Sequence, residues 1–509
     1  MNSSLNAARR RWELDEARTD VVDVLVVGLG ATGAGAALDA ASRGLSVAAV
    51  DAHDLAFGTS RWSSKLIHGG LRYLASGQVG VAWESAVERD ALLRFTAPHL
   101  VAAHPYLLPL TPAVPRAQAA TLMAGYRLGD ALRAAAGTPR RLLPGPSRLA
   151  AGRALALAPS LRADGLRGAL LSWDGRVVDD ARLVVALART AAAHGARILT
   201  RCRALALAGD GARVRDELTG DEFDIRARAV INATGVWAGE LTPSVALRPS
   251  RGTHLVLRPG ALGALRAGLH VPIPGERARF ALVLPQADGR VYAGLTDEPL
   301  DGPVPDVPEA PESDVAFLLE VVGTALDRPL SRADVAGAFA GLRPLIDTVD
   351  TADTAGTAET AGAGRTADLS RRHAVLRSPD GVVTVVGGKL TTYRRMAEDA
   401  VDAACPHARA SRTARLPLVG AGPVRPDTPG RLARRYGSEA WALRDLMRRD
   451  PALAEPVALG ITLAELVWSV RHEGALDAGD LLDRRTRIGL VPEDRAAALP
   501  AAEAALAYP

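Results

Sequence analysis

The sequence predicts an α/β fold in three parts: a parallel-sheet domain built from separated stretches of chain, an antiparallel-sheet domain, and a helical C-terminal cap. Three observations predict it. A strand, a glycine turn, a helix and a second strand follow one another in residues 24–51. Apolar strand-like runs that end in glycine turns come back at Ala229–Gly235 and Val382–Gly388. Residues 246–374 hold short alternating runs of the antiparallel kind, and the last stretch, 425–509, is helical and charged.

The first unit begins at Val24–Val27, a short buried strand, and Gly28-x-Gly30-x-x-Gly33 follows at once. A small-residue helix, Ala31–Ser42, and a strand, Leu45–Val50, end at Asp51. In this frame Gly28 permits a tight turn, Gly30 lets the backbone approach a pyrophosphate, and Gly33 lets helix pack on strand. The pyrophosphate sits on the helix N-terminus, and Asp51 accepts from a ribose hydroxyl. The motif in its full βαβ frame specifies a dinucleotide site.

The parallel domain is expected to span 21–245 and 375–405, after a flexible tail at 1–20. A Pro-, Ala- and Arg-rich excursion at 100–165 reads as helical and covers the sheet edge. Asp179–Ala193 is expected as a helix and Ala196–Ala208 as a strand. The antiparallel domain, 246–374, carries a Thr/Ala/Asp low-complexity insert at 347–369 that cannot bury a core.

Composition sets bounds. Hydrophobic residues make up 48% and charged ones 23%, with a net charge of +4. That balance does not indicate nucleic acid. Cys202 and Cys405 lack metal or redox spacing, so no metal site is expected and free thiols in a reducing compartment are. The polar N-terminus has no signal-peptide core, and no apolar run reaches the ~18 residues of a membrane span. The expected location is the cytoplasm, with peripheral membrane contact left open.

Two further turns favour FAD over a nicotinamide. Ala233-Thr234-Gly235 suits a chain that returns to grip an extended flavin nucleotide. Gly387-Gly388-Lys389-Leu390-Thr391 opens a helix whose N-terminal amides stabilise negative charge at the flavin edge. The parallel domain is therefore expected to be a discontinuous, Rossmann-like FAD-binding domain, and the antiparallel one to face the substrate.

The segment Thr59-Ser60-Arg61-Trp62-Ser63-Ser64-Lys65-Leu66-Ile67-His68-Gly69-Gly70-Leu71-Arg72-Tyr73-Leu74 is too polar and glycine-rich to be a simple covering loop. With Ala233-Thr234-Gly235, Gly341-Leu342-Arg343-Pro344-Leu345 and Gly387-Gly388-Lys389-Leu390-Thr391-Thr392-Tyr393-Arg394, it resembles the FAD-dependent glycerol-3-phosphate dehydrogenases, in the same motif order. The resemblance runs over roughly 20–490, including Val470–Glu473 and Arg484–Arg487 in the cap.

That resemblance implies oxidation of the C2 alcohol of glycerol 3-phosphate to dihydroxyacetone phosphate. A hydride goes to flavin N5, and electrons pass on to a quinone. It implies that Arg343, Lys389, Arg72 and His254 line the reacting end, with Tyr73, Arg371 and His68 toward the substrate. It places Thr59, Ser60, Ser64 and Lys65 beside the cofactor, along with the turn residues through Thr391. His254 is the natural base, since its ordinary pKa lies near neutrality. Arg343 would instead hold the developing alkoxide. The proton acceptor stays open between them. Asp51 stands where many relatives have Glu, and His373 where an aromatic is common. The resemblance also implies docking on the inner face of the cytoplasmic membrane and leaves room for a homodimer. The alternatives are an oxidase using O2, an α-hydroxy or α-amino acid oxidase of the same fold, and a non-catalytic flavin-binding protein.

Overall fold

The structure, a computed structural model, describes residues 2–70, 73–74, 77–276, 279–346 and 372–508. The low-complexity insert lies outside the described residues.

Val21–Val27 occupies the middle of the first sheet and is almost wholly buried, as a run of Val and Leu with helices on one face requires. It pairs in parallel with Val47–Val50 on one side and Glu222–Asn232 on the other. Val383–Gly387 and Arg197–Leu199 extend the parallel core. Ala31–Ser42, Asp180–Ala193 and Tyr393–Ala404 supply the apolar layer over one face. The chain thus returns twice to this sheet, and each return ends in a glycine turn at the same edge as Gly28.

The second sheet has ten strands, with Ser250–Leu257, Val291–Gly294, Phe280–Pro285 and Gly268–Pro272 side by side. Three expectations are corrected here. The stretch 100–165 is not simply helical. Val101–Pro109 and Ser147–Leu149 are strands, and with Ala169–Val177 and Leu66–Ile67 they complete the second sheet. The helices Arg116–Ala135 and Ala151–Leu157 are the parts that match the expectation. The segment 196–208 is two strands, Arg197–Leu199 and Cys202–Ala208, broken where Arg201 takes φ of 55°.

The N-terminus is not a loose tail either. Ala7–Thr19 is a helix with Arg10, Glu13, Leu14 and Ala17 turned inward. Arg10 donates to Asp216 at 2.6 Å and to the Thr200 carbonyl at 2.7 Å. Glu13 accepts from the Ile198 N–H at 3.0 Å and pairs with Arg9 at 2.6 Å. These ties take the place of an apolar stripe.

The C-terminal cap contains Gly430–Tyr436, Ala440–Arg449, Leu463–His472 and Pro492–Ala507. It is clamped to the first domain through buried charge. Arg485 grips Asp54 with two bonds of 2.6 and 2.8 Å, and Arg484 adds a third at 2.6 Å. Burial alone would raise the Asp54 pKa, but the two guanidinium groups outweigh it and hold the carboxylate ionised. Arg182 pairs with Glu473 at 2.7 Å in the same way.

Candidate active site

The glycine turns of the first sheet and the inner face of the second enclose one cavity of about 1000 Å³. That is at the top of the ~300–1000 Å³ range of small-molecule sites, which suits an extended dinucleotide together with a small substrate.

At the nucleotide end the backbone makes the site. Gly28 has φ of 98°, and a Cβ there would lie 2.7 Å from the Ala233 carbonyl oxygen. A Cβ on Gly33 would lie 1.8 Å from the Gly28 carbonyl oxygen, so this helix can meet this turn only as glycine. Gly33 is thus a packing residue, while Gly28 and Gly30 line the cavity. Asp51 accepts from the N–H of Leu29 at 2.7 Å and of His53 at 2.8 Å, one on each carboxylate oxygen. Each oxygen keeps a lone pair for a ribose hydroxyl. Burial raises its pKa to about 6 despite those bonds. Ser60 accepts from the Ala31 N–H at 2.9 Å, which fastens the 59–61 turn to the helix start. Thr59 donates to the Leu342 carbonyl at 2.7 Å, joining the loop to the second sheet.

The second turn is set by Asn232. Its amide donates to the Ala238 carbonyl and the Thr242 hydroxyl, and its side-chain oxygen accepts from the N–H and the hydroxyl of Thr234. Ala233, Thr234 and Gly235 thereby face the cavity. In the third turn Gly387 and Gly388 have φ of 78° and 73°, and Gly388, Lys389, Leu390 and Thr391 line the same space. A glycine cradle, a buried carboxylate at its end and two further turns fit the adenosine diphosphate and ring of FAD.

At the other end side chains make the site. Ser250–Leu257 pairs antiparallel with Val335–Arg343, which brings His254 and Arg343 to one cavity wall. Arg343 donates to Asp297 at 2.9 Å, Ser250 at 3.1 Å and the Thr296 carbonyl at 2.9 Å. Asp297 therefore aims the guanidinium. His254 meets the Ser64 hydroxyl through Nε2 at 2.9 Å and stacks on Phe339 at 4.8 Å. Burial, then the charges of Lys65 and Arg343, lower its pKa to about 3, so the ring is neutral. Lys389 donates to Ser85 and lies 4.4 Å from the Tyr73 ring centre. His68 accepts from the Gly70 N–H at 3.2 Å and stacks on Tyr73.

Lys65 does not line the cavity. It is 2% exposed, and its ammonium is 2.7 Å from Asp180. Burial lowers its pKa to about 8 against the pull of that carboxylate. Its left-handed φ of 59° sends the side chain behind the loop, where it braces the segment bearing Ser64. Arg72 and Arg371 lie outside the described residues. Among the described residues no His, Cys, Asp and Glu cluster could hold a metal ion.

The family model "FAD dependent oxidoreductase" matches residues 23–410, and "C-terminal domain of alpha-glycerophosphate oxidase" matches 385–508. Glycerol-3-phosphate dehydrogenase 1 of Mycobacterium tuberculosis is 53% identical, over 97% of this chain and 96% of its own. The glycerol-3-phosphate dehydrogenase of Mycobacterium leprae is 36% identical, over 96% of this chain and 84% of its own. The solved structure of the Bacillus halodurans glycerol-3-phosphate dehydrogenase, complexed with FAD, superposes with a TM-score of 0.74 at 25% identity, over 99% of this chain and 94% of that one. The chain belongs to the FAD-dependent glycerol-3-phosphate dehydrogenase family.

Proposed function

We propose that the protein oxidises sn-glycerol 3-phosphate at C2 to dihydroxyacetone phosphate and passes the electrons to a quinone. The observation that carries this reading is the placement of His254 and Arg343, on two paired strands, along one wall of the glycine-lined cavity. Bound FAD supplies the acceptor for the hydride leaving C2. Arg343, held on three sides by Asp297, Ser250 and Thr296, places fixed positive charge where the alkoxide develops. His254, neutral and bonded to Ser64, takes the hydroxyl proton. A bound phosphate dianion offsets part of the environment that depresses its basicity. Lys389 and Tyr73 sit together to meet the phosphate. The family resemblance assigns Arg371 to the same anion and Arg72 to the reacting end.

A peripheral membrane contact accompanies this reading. Among the described residues no helix is long and apolar enough to cross a bilayer. Val79, Trp83 and Val87 instead form an exposed stripe at helical spacing on Val79–Ala91.

The test is anaerobic. Glycerol 3-phosphate should bleach the oxidised flavin of the purified protein, and glycerol or an amino acid should not. A flavin-loaded protein left unbleached by glycerol 3-phosphate would overturn the reading. Recovery of colour with a quinone faster than with O2 supports the acceptor, and the reverse order makes the protein an oxidase.

A further inference from the structure

The cap run Arg484-Arg485-Thr486-Arg487 belongs to the family motif, yet among the described residues none beyond Met396 lines the cavity. Three of the four side chains land on one stretch of the first domain. Arg484 and Arg485 hold the Asp54 carboxylate. Arg487 donates to the Arg61 carbonyl at 2.6 Å, and its guanidinium lies 5.2 Å from the Trp62 ring centre. Thr486 turns back to the Leu481 carbonyl at 2.8 Å and ties the run to its own segment.

The stretch they hold, residues 51–62, faces two ways. Asp51, His53, Phe57, Gly58, Thr59 and Ser60 line the nucleotide end of the cavity, while the wholly buried Asp54 meets the cap. Phe57 joins the two sides. Its ring stacks on His53 at 3.8 Å, and the guanidinium groups of Arg61 and Arg484 lie 4.9 and 5.7 Å from its centre. A second tie runs through Arg201. Its N–H donates to the His53 carbonyl at 2.7 Å, and its side chain reaches Asp477 and, at 2.7 Å, Asp480, both in the cap. The next residue, Cys202, donates to the Asp51 carbonyl at 2.7 Å. Cap charge therefore backs both the acid and the rings of the nucleotide end.

We infer that the arginine run 484–487 is a cofactor latch: the docked cap orders residues 51–62 for FAD, and bound FAD in turn holds the cap docked. The inference needs bound FAD and not the proposed oxidation. A loop already fixed from behind loses less freedom when a ligand fixes its front. The two events therefore reinforce each other, and by linkage they do so equally in both directions. Arg484, Arg485 and Arg487 are positioning residues, because they act on the cofactor only through this loop.

The experiment uses the full chain with FAD bound and after FAD removal. Hydrogen exchange is followed along the cap, and FAD affinity is read by flavin fluorescence. In wild type FAD should slow exchange in residues 477–487 at least about fivefold, the low end of a typical coupling. Exchange in the outer cap helix Ala440–Arg449 should stay unchanged. Arg485→Lys keeps a charge beside Asp54 but loses the two-bond grip, and FAD affinity should fall about tenfold. Arg201→Gln leaves Asp480 paired with Arg484 and should cost about fivefold. In each variant the protection that FAD gives to 477–487 should shrink by the same factor as its affinity. A change that only loosened the cap would speed exchange alike with and without FAD. Exchange in 477–487 that FAD leaves unchanged, or slows no more than in Ala440–Arg449, would overturn the latch. Wild-type FAD affinity in both variants would overturn it too. If Arg485→Lys does not fold, Arg201→Gln decides by the same two readings. Neither reading involves turnover, so a failure of the proposed oxidation is seen separately, as wild type left unbleached by glycerol 3-phosphate.

Discussion

The two ends of the cavity are built in different ways. At the nucleotide end the chain brings backbone up to the ligand, with Gly28, Gly33 and Gly388 clearing space and Asp51 adding a carboxylate. At the reacting end side chains do the work, and each is aimed by a second one: Arg343 by Asp297, His254 by Ser64, Lys389 by Ser85. A site made of backbone fails when an atom is added. A site made of aimed side chains fails when an atom is removed or turned.

That contrast can be broken most severely at Gly33. Gly33→Val places a branched side chain where even a Cβ lies 1.8 Å from a carbonyl oxygen, so the protein should purify colourless or insoluble. A yellow, fully loaded Gly33→Val would show that the turn yields. Behind the loop, Lys65→Met leaves Asp180 buried without its charge partner. A loss of about 3–5 kcal/mol in denaturant unfolding is expected, in line with other broken buried pairs. Unchanged stability would mean that Lys65 is not the brace described.

Smaller effects sharpen the comparison. Asp297→Asn keeps the shape around Arg343 but removes the charge that aims it. The rate of flavin reduction should fall about tenfold while FAD content stays full, and Asp297→Glu should restore part of it. Equal rates in all three would remove Asp297 from the account. The mildest effect is one of pH. Burial raises the folded pKa of Asp51 to about 6, above the ordinary 3.8. The ionised acceptor is therefore present above pH 6 and lost as pH falls through it, and FAD affinity should weaken over that window. In Asp51→Asn the decline should vanish. If it persists, another group causes it.

Legibility in the sequence follows the same division. The nucleotide end could be read because its constraints act within one βαβ unit: strand, three glycines and an acid inside residues 24–51. The reacting end was reached through motif resemblance, since nothing in local spacing tells that residue 254 shares a cavity wall with residue 343. Long-range partners stayed hidden. Asp297 lies 46 positions from Arg343, and the turn that holds it reads as ordinary. Lys65 sits inside the right motif but points the other way, a reversal set by one positive φ.

The strand Val101–Pro109 was obscured by Pro105 and Pro109, which argue against an interior strand. The fold accommodates them because the parallel neighbour pairs only at Tyr106 and Leu107, leaving both prolines off that ladder. The N-terminal helix was missed for a related reason. Its inward face is charged, and the partners that make burial tolerable lie about 190 positions away.

Arg343 is proposed to stabilise charge in the reaction and to take no part in holding the cofactor. The most direct test is anaerobic stopped-flow reduction of wild type and Arg343→Ala by glycerol 3-phosphate, after FAD content has been matched. FAD occupancy should be equal and the reduction rate lower by about 10²–10³, the cost of removing a preorganised electrostatic donor. A variant that bleaches at the wild-type rate, or one that purifies without FAD, would contradict it.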